Sequence, residues 1–198
     1  MSGQKQFKVA DALDASLKLF LNKGYAGTSL AELELSTGLN KSSIYNTFGS
    51  KDGLYHACLE RFRTNYTNKA ILKLEHHDFQ TAIFDFCNTL YGGFDQLTSP
   101  MGCVATLAAM ERGPDDGLVG QSLKMGMKEL LSSLEQRCLK GVEDGQLSPH
   151  WDCAKLAAMV IAVSRGAIVL SMATGDREVG LRAYQCLLEQ IVDGNGGK

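Results

Sequence analysis

The side chains with the clearest chemical use in this sequence form a short run at positions 41–47. All but one carry a hydrogen-bonding group, and these are Lys41, Ser42, Ser43, Tyr45, Asn46 and Thr47. If the run is helical, each residue turns about 100° from the last, so most of the polar groups lie away from Ile44. Ammonium, hydroxyl and amide groups bond to phosphates and to base edges in the major groove of DNA. The run therefore indicates a DNA-contacting surface.

Helix-end signals place this run on the second helix of a helix-turn-helix. Ser29 and Glu32 match a capping box that begins a helix, and Gly38 ends that helix after barely two turns. Asn40 is suited to cap the next helix, which contains the run. Upstream, apolar residues at helical spacing predict a longer first helix that ends near Gly24. Two short helices about a glycine turn fit a reader of the major groove.

A hairpin within a helical bundle is the competing interpretation of this region. Its serine and threonine side chains would then only be solvated. Bundle surfaces favour Glu, Lys and Ala over a run of hydroxyl and amide groups, so the helix-turn-helix is the better prediction.

A wider set of residues in the same region has a characteristic order and spacing: Phe20, Gly24, Tyr25, Thr28, Ser29, Gly38, Ser42, Ser43, Ile44, Tyr45, Phe48, Lys51 and Leu54. This set resembles the TetR/AcrR family of one-component transcriptional repressors. The family pattern covers about the first 55 of the 198 residues, and the remainder matches in length and helix layout. The resemblance implies an all-α fold of about nine helices. It places a three-helix DNA-binding domain at 1–50 and a helical ligand-binding and dimerisation domain at 51–198.

Two residues depart from the family pattern. Where the family usually has small apolar residues on the second helix, this chain has Glu34 and Thr37. Glu34 would be buried beside the recognition helix or tilted outward toward phosphates, and either position weakens binding unless a cation pairs with it. We expect modest operator affinity or a slightly different placement of the second helix.

The resemblance implies a dimer that places two recognition helices in successive major grooves, roughly 34–36 Å apart. Base-edge or groove contacts are assigned to Lys41, Ser42, Ser43 and Asn46. Phosphate contacts are assigned to Ser29, Tyr45, Thr47 and Lys51. A small molecule then lowers operator affinity by shifting the fourth helix, which makes the chain a repressor released from a palindromic operator. A regulator that binds DNA without a ligand is an alternative.

Apolar periodicity predicts six further helices, at about 51–74, 79–97, 103–112, 123–145, 152–174 and 181–191. Asp152 is suited to cap the eighth of the nine. That helix is rich in alanine, glycine and serine, and the ninth is apolar over more than one face. As in the family it resembles, we expect a twofold homodimer through the eighth and ninth helices.

Between the fourth and eighth helices we expect a ligand cavity, apolar with a few polar groups. The candidate lining residues are Phe62, Tyr66, Cys87, Tyr91, Phe94, Met101, Cys103, Leu107, Met110, Glu111, Met125, Trp151 and Arg165. Glu111 and Arg165 interrupt apolar helices. They are interpreted as a buried or interfacial ion pair, or as groups that orient a polar ligand.

The six cysteines have no spacing typical of zinc ligands or of a disulfide framework, so no metal and no cofactor is predicted. Five of them are expected to act as small core hydrophobes. Cys103 is expected in the first turn of a helix, where the helix dipole favours a thiolate. It resembles the sensor cysteine of some family members, which gives a redox- or electrophile-sensing repressor as an alternative. A pocket-lining or core role for Cys103 is equally open.

Enzymatic motifs are missing from the sequence. There is no Gly-x-Ser-x-Gly elbow, phosphate loop or dinucleotide fingerprint, and the four histidines form no triad pattern. The first 55 residues hold six lysines and five acidic residues, a net charge of +1, within a chain of net charge −2. A strongly basic DNA-coating protein is therefore disfavoured.

The expected location is the cytoplasm. No uninterrupted apolar run of 18 residues is found, and the N-terminus lacks an apolar signal core. We therefore expect no membrane partner.

Overall fold

A computed structural model of the chain describes residues 2–92 and 103–193, and the regular structure within them is entirely helical. The helices are α1 (Ser2–Lys23), α2 (Leu30–Thr37), α3 (Lys41–Phe48), α4 (Lys51–Phe62), α5 (Asn68–Lys73), α6 (Phe79–Gly92), α7 (Val104–Glu111), α8 (Gly117–Glu143), α9 (Cys153–Thr174) and α10 (Arg177–Asp193). The all-α prediction is confirmed.

The predicted helix ends are found where short-range signals specified them. The Ser29 side chain accepts the N–H of Glu32 while the Glu32 carboxylate accepts the N–H of Ser29, which completes the capping box. Asn40 caps α3, and Asp152 caps α9 by accepting the N–H of Lys155. Gly38 ends α2 with φ +66°, a left-handed conformation that favours glycine.

The predicted fourth helix is present, since residues 51–73 are helical without a gap, but its hydrogen-bonding pattern changes part-way. A π-helical turn at Arg63–Thr67 separates α4 from α5, where the sequence predicted one helix from about Lys51 to Leu74. Thr64 Oγ1 donates to the Glu60 carbonyl, a local bond that competes with the regular helical ladder. The described part of the predicted 79–97 helix ends at Gly92, so its last residues lie outside the described range.

The chain forms two compact units. The first consists of Met1–Thr64 and Leu97–Met125, and in it α1 packs against α2, α4 and α7, while α3 packs against α2 and α4. Its core includes Phe20, Leu33, Ile44, Leu54 and Tyr55, all of which are fully buried. The N-terminal unit thus contains α4 and α7 as well as the helix-turn-helix.

The second unit consists of Asn65–Gln96 and Gly126–Lys198, in which α9 packs against α10 and α6. The Tyr91 hydroxyl lies 2.5 Å from Ser171 Oγ and donates to the Arg177 carbonyl at 2.7 Å, which ties α6 to α9 and α10. Among the described residues, α9 is the one helix long and apolar enough to cross a membrane. Core helices of soluble proteins share that composition, and nine of its residues are buried against this unit.

Candidate nucleic-acid interface

Helix α3 presents the polar surface that the sequence predicted. Ile44 is fully buried, and the neighbouring Leu39 and Phe48 are half-buried. On the other side, the exposed residues are Lys41, Ser42, Tyr45, Asn46 and Thr47, while Ser43 is half-buried. The Tyr45 side chain is 41% exposed, with Lys41 Nζ 5.9 Å from its ring centroid. The helix therefore offers amide, hydroxyl, phenol and ammonium groups to a partner.

The beginning of α3 is capped from two directions. Asn40 Oδ1 accepts the N–H of Ser43 at 2.8 Å. Glu34, on α2, accepts the N–H of Lys41, the first residue of α3. The sequence had Glu34 either buried beside the recognition helix or tilted toward phosphates; its carboxylate lies beside that helix but is only half-buried, and an orientation toward phosphates stays a prediction.

Thr37, the other departure from the family pattern, is also engaged. Its hydroxyl donates to the Leu33 carbonyl at 2.6 Å and accepts the N–H of Leu39 at 3.2 Å. The threonine thus joins the end of α2 to the turn that leads into α3. A small apolar residue in its place would supply neither bond.

Ser29 is exposed at the beginning of α2, beside a carboxylate. Glu32 accepts bonds from the Ser29 N–H and hydroxyl and forms an ion pair with Lys23. These bonds, led by the one from Lys23, lower the pKa of Glu32 to about 2. Glu32 is therefore ionised at neutral pH, and Ser29 is held by its own helix.

Tyr25, in the turn after α1, is in contact with two cationic side chains and one aromatic ring. Lys51 Nζ donates to the Tyr25 carbonyl at 2.6 Å and lies 4.1 Å from the ring centroid. The Arg112 guanidinium also lies 4.1 Å from that centroid, and the Tyr55 ring lies 5.0 Å away. Burial is the main reason that the pKa of Lys51 is lowered. Lys51 therefore fixes the turn to the beginning of α4.

Arg112, which follows α7, binds two carboxylates. It donates to Asp52 Oδ1 at 2.9 Å and forms a two-bond ion pair with Asp116. The hydrogen bond from Arg112 is the leading cause that lowers the pKa of Asp52 and of Asp116. Because Asp52 lies in the first turn of α4, Arg112 links α7 to the helix that follows the recognition helix.

Glu111 makes a second link from α7. Its Oε2 accepts the N–H of Tyr25 at 2.7 Å, and its carboxylate lies against Gly24, where a Cβ would be 2.9 Å from Glu111 Cδ. Gly24 has φ +70°, so this position needs glycine both for its conformation and for the space. Glu111 is exposed and binds backbone, so its interpretation as a buried ionic group is wrong, while an interfacial ion pair or a ligand-orienting role stays a prediction.

Sequence comparisons agree with this geometry. Residues 12–58 match the family described as "Bacterial regulatory proteins, tetR family". Residues 81–187, more than half of the chain, match "Tetracyclin repressor-like, C-terminal domain". This chain belongs to the TetR family. The relatives it matches are transcriptional regulators rather than enzymes, and the family likeness extends well beyond the first 55 residues from which it was inferred.

Individual TetR-family relatives cover most of the chain. The HTH-type transcriptional repressor ComR of Escherichia coli strain K12 is 30% identical over 164 residues, which cover 82% of this chain and 78% of ComR. A TetR regulator from Chloroflexus aurantiacus J-10-FL has the same fold, with a TM-score of 0.84 at 23% identity over 95% and 96% of the two chains.

A cysteine mutant of the TetR-family regulator CifR has been solved with 26-bp double-strand operator DNA. That structure has a TM-score of 0.79 and 26% identity to this chain, and it covers 90% of this chain and 94% of CifR. Operator binding within the same fold is therefore documented for a relative.

The predicted ligand residues of this TetR-family chain fall into three groups. Phe62, Cys87, Tyr91 and Cys103 are buried, and Tyr66, Leu107, Trp151 and Arg165 are half-buried. Met110 and Met125 are 76% and 64% exposed, so their expected burial in a cavity is wrong. Phe94 and Met101 lie outside the described residues. The structure also has a groove of about 280 Å³ between α6 and α10, which the sequence did not predict. Its apolar lining residues are Phe79, Ile83 and Phe84 on α6 and Leu188 and Ile191 on α10.

Five of the six cysteines are buried, but Cys186 is exposed, so its expected role as a core hydrophobe is wrong. Burial raises the pKa of Cys87 and of Cys138 to about 12, so these thiols stay protonated. Cys103 is the N-cap of α7 rather than a residue of its first turn, and it is fully buried. Within the part of the chain that the structure describes, no group of three or more His, Cys, Asp or Glu residues could hold a metal ion.

Proposed function

We propose that this TetR-family chain is a homodimeric repressor that a small molecule releases from a palindromic operator. The observation that carries the proposal is the polar face of α3, exposed around a fully buried Ile44. A helix of this kind inserts into the major groove and reads base edges with its outer residues. Two copies are needed because 1–55 carry a net charge of only +1.

The proposed contacts divide into two kinds. Lys41, Ser42, Ser43 and Asn46 contact base edges or the groove, and Ser29, Tyr45, Thr47 and Lys51 contact phosphates. Six of these eight residues are exposed, which supports the assignment. The other two, Ser43 and Lys51, are half-buried. Lys51 also retains capacity for a phosphate, because an ammonium has three donors and the Tyr25 carbonyl accepts one of them.

Selection of bound duplexes from a random pool tests the function directly. We expect a palindrome whose half-sites are separated by about one helical turn. Asn46→Ala should weaken binding by about 1–3 kcal/mol and relax specificity at one position per half-site. Tyr45→Ala and Lys51→Ala should weaken binding to all sequences, and Lys128→Ala, an exposed lysine on α8, is the control. Unchanged operator affinity in both Tyr45→Ala and Lys51→Ala would refute the proposed interface.

The proposed dimer forms through α9 and α10, the predicted eighth and ninth helices. Helix α9 keeps apolar side chains exposed on the face away from its unit, at Met159, Val169, Leu170 and Met172. Such side chains are available to pack against a second subunit. Leu170→Arg should give a monomer in sedimentation and lose operator binding, whereas Ser132→Arg on α8 should change neither. A wild-type protein that is monomeric at micromolar concentration while it binds operator would exclude the dimer.

The proposed coupling runs through the end of α7. Glu111 binds Tyr25, which precedes α2, and Arg112 binds Asp52, which follows α3. All four residues lie in the same compact unit. A ligand that displaces α7 would therefore move both attachment points. A coupling of about 1–3 kcal/mol lowers operator affinity about 5–150-fold.

The candidates for ligand contacts that we retain are Phe62, Cys103 and Leu107 in the first unit, and Tyr66, Cys87, Tyr91, Trp151 and Arg165 in the second. Trp151 Nε1 supports this choice, because it is a buried donor with no hydrogen-bond partner among the described residues. Buried donors normally have a partner, and a ligand acceptor would supply one. Soaking or titration with candidate metabolites should quench Trp151 fluorescence if the site is correct.

Two alternatives remain for the switch, and both keep the DNA-binding role. A sensor role for Cys103 requires reagent access to a fully buried thiol. Alkylation of Cys103 without loss of DNA binding, with the other cysteines masked, would exclude it. If the regulator is independent of ligand, its operator affinity should be the same in the presence and absence of each pool of candidate metabolites. For all three versions we propose a cytoplasmic location and no membrane partner.

A further inference from the structure

Glu34 occupies an unusual place for an acidic residue in a DNA-binding helix pair. It lies on α2, seven residues before Lys41, and its Oε1 accepts the N–H of that first residue of α3. The carboxylate is half-buried, and no Lys or Arg whose side chain the structure describes forms an ion pair with it. A formal negative charge therefore stands at the end of the recognition helix that points toward DNA in helix-turn-helix complexes.

The single negative charge of Glu34 is large relative to the net charge of the DNA-binding region. Residues 1–55 carry six lysines and five acidic residues, so Glu34 alone reduces their net charge from +2 to +1. Non-specific binding to DNA depends almost entirely on phosphate neutralisation, whereas operator binding also includes base contacts. A carboxylate at this point opposes phosphate neutralisation, which supplies nearly all of the first kind of binding and only part of the second.

We propose that Glu34 is a specificity-determining residue, whose charge suppresses binding to non-operator DNA by repelling backbone phosphates near α3. The inference rests on the proposed operator binding and adds a residue to it. Specificity is a ratio of affinities, so a group that disfavours the competing complexes raises it even when operator affinity also falls. The hydrogen bond from the Lys41 N–H favours a position of the carboxylate beside the beginning of α3.

The substitution Glu34→Gln separates the charge from the cap. Glutamine keeps a side-chain oxygen that accepts the Lys41 N–H but removes the negative charge. Glu143→Gln is the matched control, since it makes the same change at an exposed position at the end of α8. Thermal unfolding should show a loss of no more than about 1 kcal/mol for Glu34→Gln, from the lost charge at the helix N-terminus, and none for Glu143→Gln, which shows that both variants remain folded.

The experiment is fluorescence anisotropy with the selected operator and with a scrambled duplex, over a series of salt concentrations. For Glu34→Gln we expect affinity for the scrambled duplex to rise about tenfold in the dimer. The slope of log K against log[salt] should become steeper by about 1 to 2, corresponding to about one extra phosphate contact per subunit. Operator affinity should rise less, so the ratio of the two affinities falls. Glu143→Gln should leave both slopes unchanged.

Three results would overturn the proposal. Equal changes in Glu34→Gln and Glu143→Gln would show that only total charge matters. Unchanged scrambled-duplex affinity would show that the carboxylate acts only as a cap. A selective loss of operator affinity would show that Glu34 accepts a bond from a base, as carboxylates do from cytosine N4. Wild-type protein that binds no duplex from the pool would instead refute the proposed function itself.

Discussion

The contact between Glu111 and Gly24 gives a prediction whose size follows from the geometry. Gly24→Ala places a Cβ 2.9 Å from Glu111 Cδ, at a residue with φ +70°. The left-handed conformation costs about 1 kcal/mol for alanine. The steric overlap costs no more free energy than the Glu111 hydrogen bond that it breaks, because the carboxylate ends a flexible side chain that can rotate into solvent. That bond, to the Tyr25 N–H, contributes about 1 kcal/mol at an exposed site. We therefore expect a loss of about 2 kcal/mol.

Gly38→Ala is the matched control for this substitution. Gly38 has φ +66° but no atom within 4 Å of a Cβ, so only the conformational cost of about 1 kcal/mol applies. Urea unfolding followed by circular dichroism, at one protein concentration, measures both losses. Once Glu111→Ala has removed the carboxylate, Gly24→Ala should cost no more than Gly38→Ala. Equal losses for the two single glycine variants, or full additivity of Gly24→Ala with Glu111→Ala, would refute the reasoning.

Three further predictions concern the same contacts and the second unit. Asp52 has a lowered pKa, chiefly through Arg112, so its contribution to stability is complete above about pH 4, the unfolded value, and is lost as pH falls through the folded value. Asp52→Asn should therefore flatten the acid side of the stability curve measured by urea unfolding from pH 6 to 3. Gly180→Ala should destabilise by about 1–3 kcal/mol in the same assay, since its Cβ would lie 2.6 Å from the Ala167 carbonyl oxygen. Arg112→Ala should speed amide exchange in the turn after α1, whereas a similar exchange rate to wild type would contradict the proposed link.

Local signals in the sequence predicted the reader helices almost residue by residue. The Ser29 capping box, the Asn40 cap and the glycine at position 38 each depend on groups within four residues, and all three are present. The burial of Ile44 followed from helical periodicity alone. These features were predictable because a helix end is specified by backbone groups that only its nearest side chains reach.

The contacts between elements were not predictable in the same way. The bond from the Tyr25 N–H to Glu111 joins residues 86 positions apart, and no sequence period relates them. The bond from the Lys41 N–H to Glu34 was not predicted, because it joins two helices across the turn between them. Met110 is apolar but exposed, since composition gives the character of a helix and not the direction of each side chain.

The contacts at the end of α7 have the energy that an allosteric link requires. Exposed ion pairs such as Arg112 with Asp52 contribute about 0–1 kcal/mol, and the Glu111 bond contributes about as much. Together they approach the 1–3 kcal/mol that couples two sites in regulatory proteins. Stronger contacts would lock the turn after α1 in one position whatever occupied the ligand site. Weaker ones would let α7 move without moving Tyr25. The exposed, individually modest bonds of Glu111 and Arg112 are therefore consistent with the proposed link, which a ligand would have to bias.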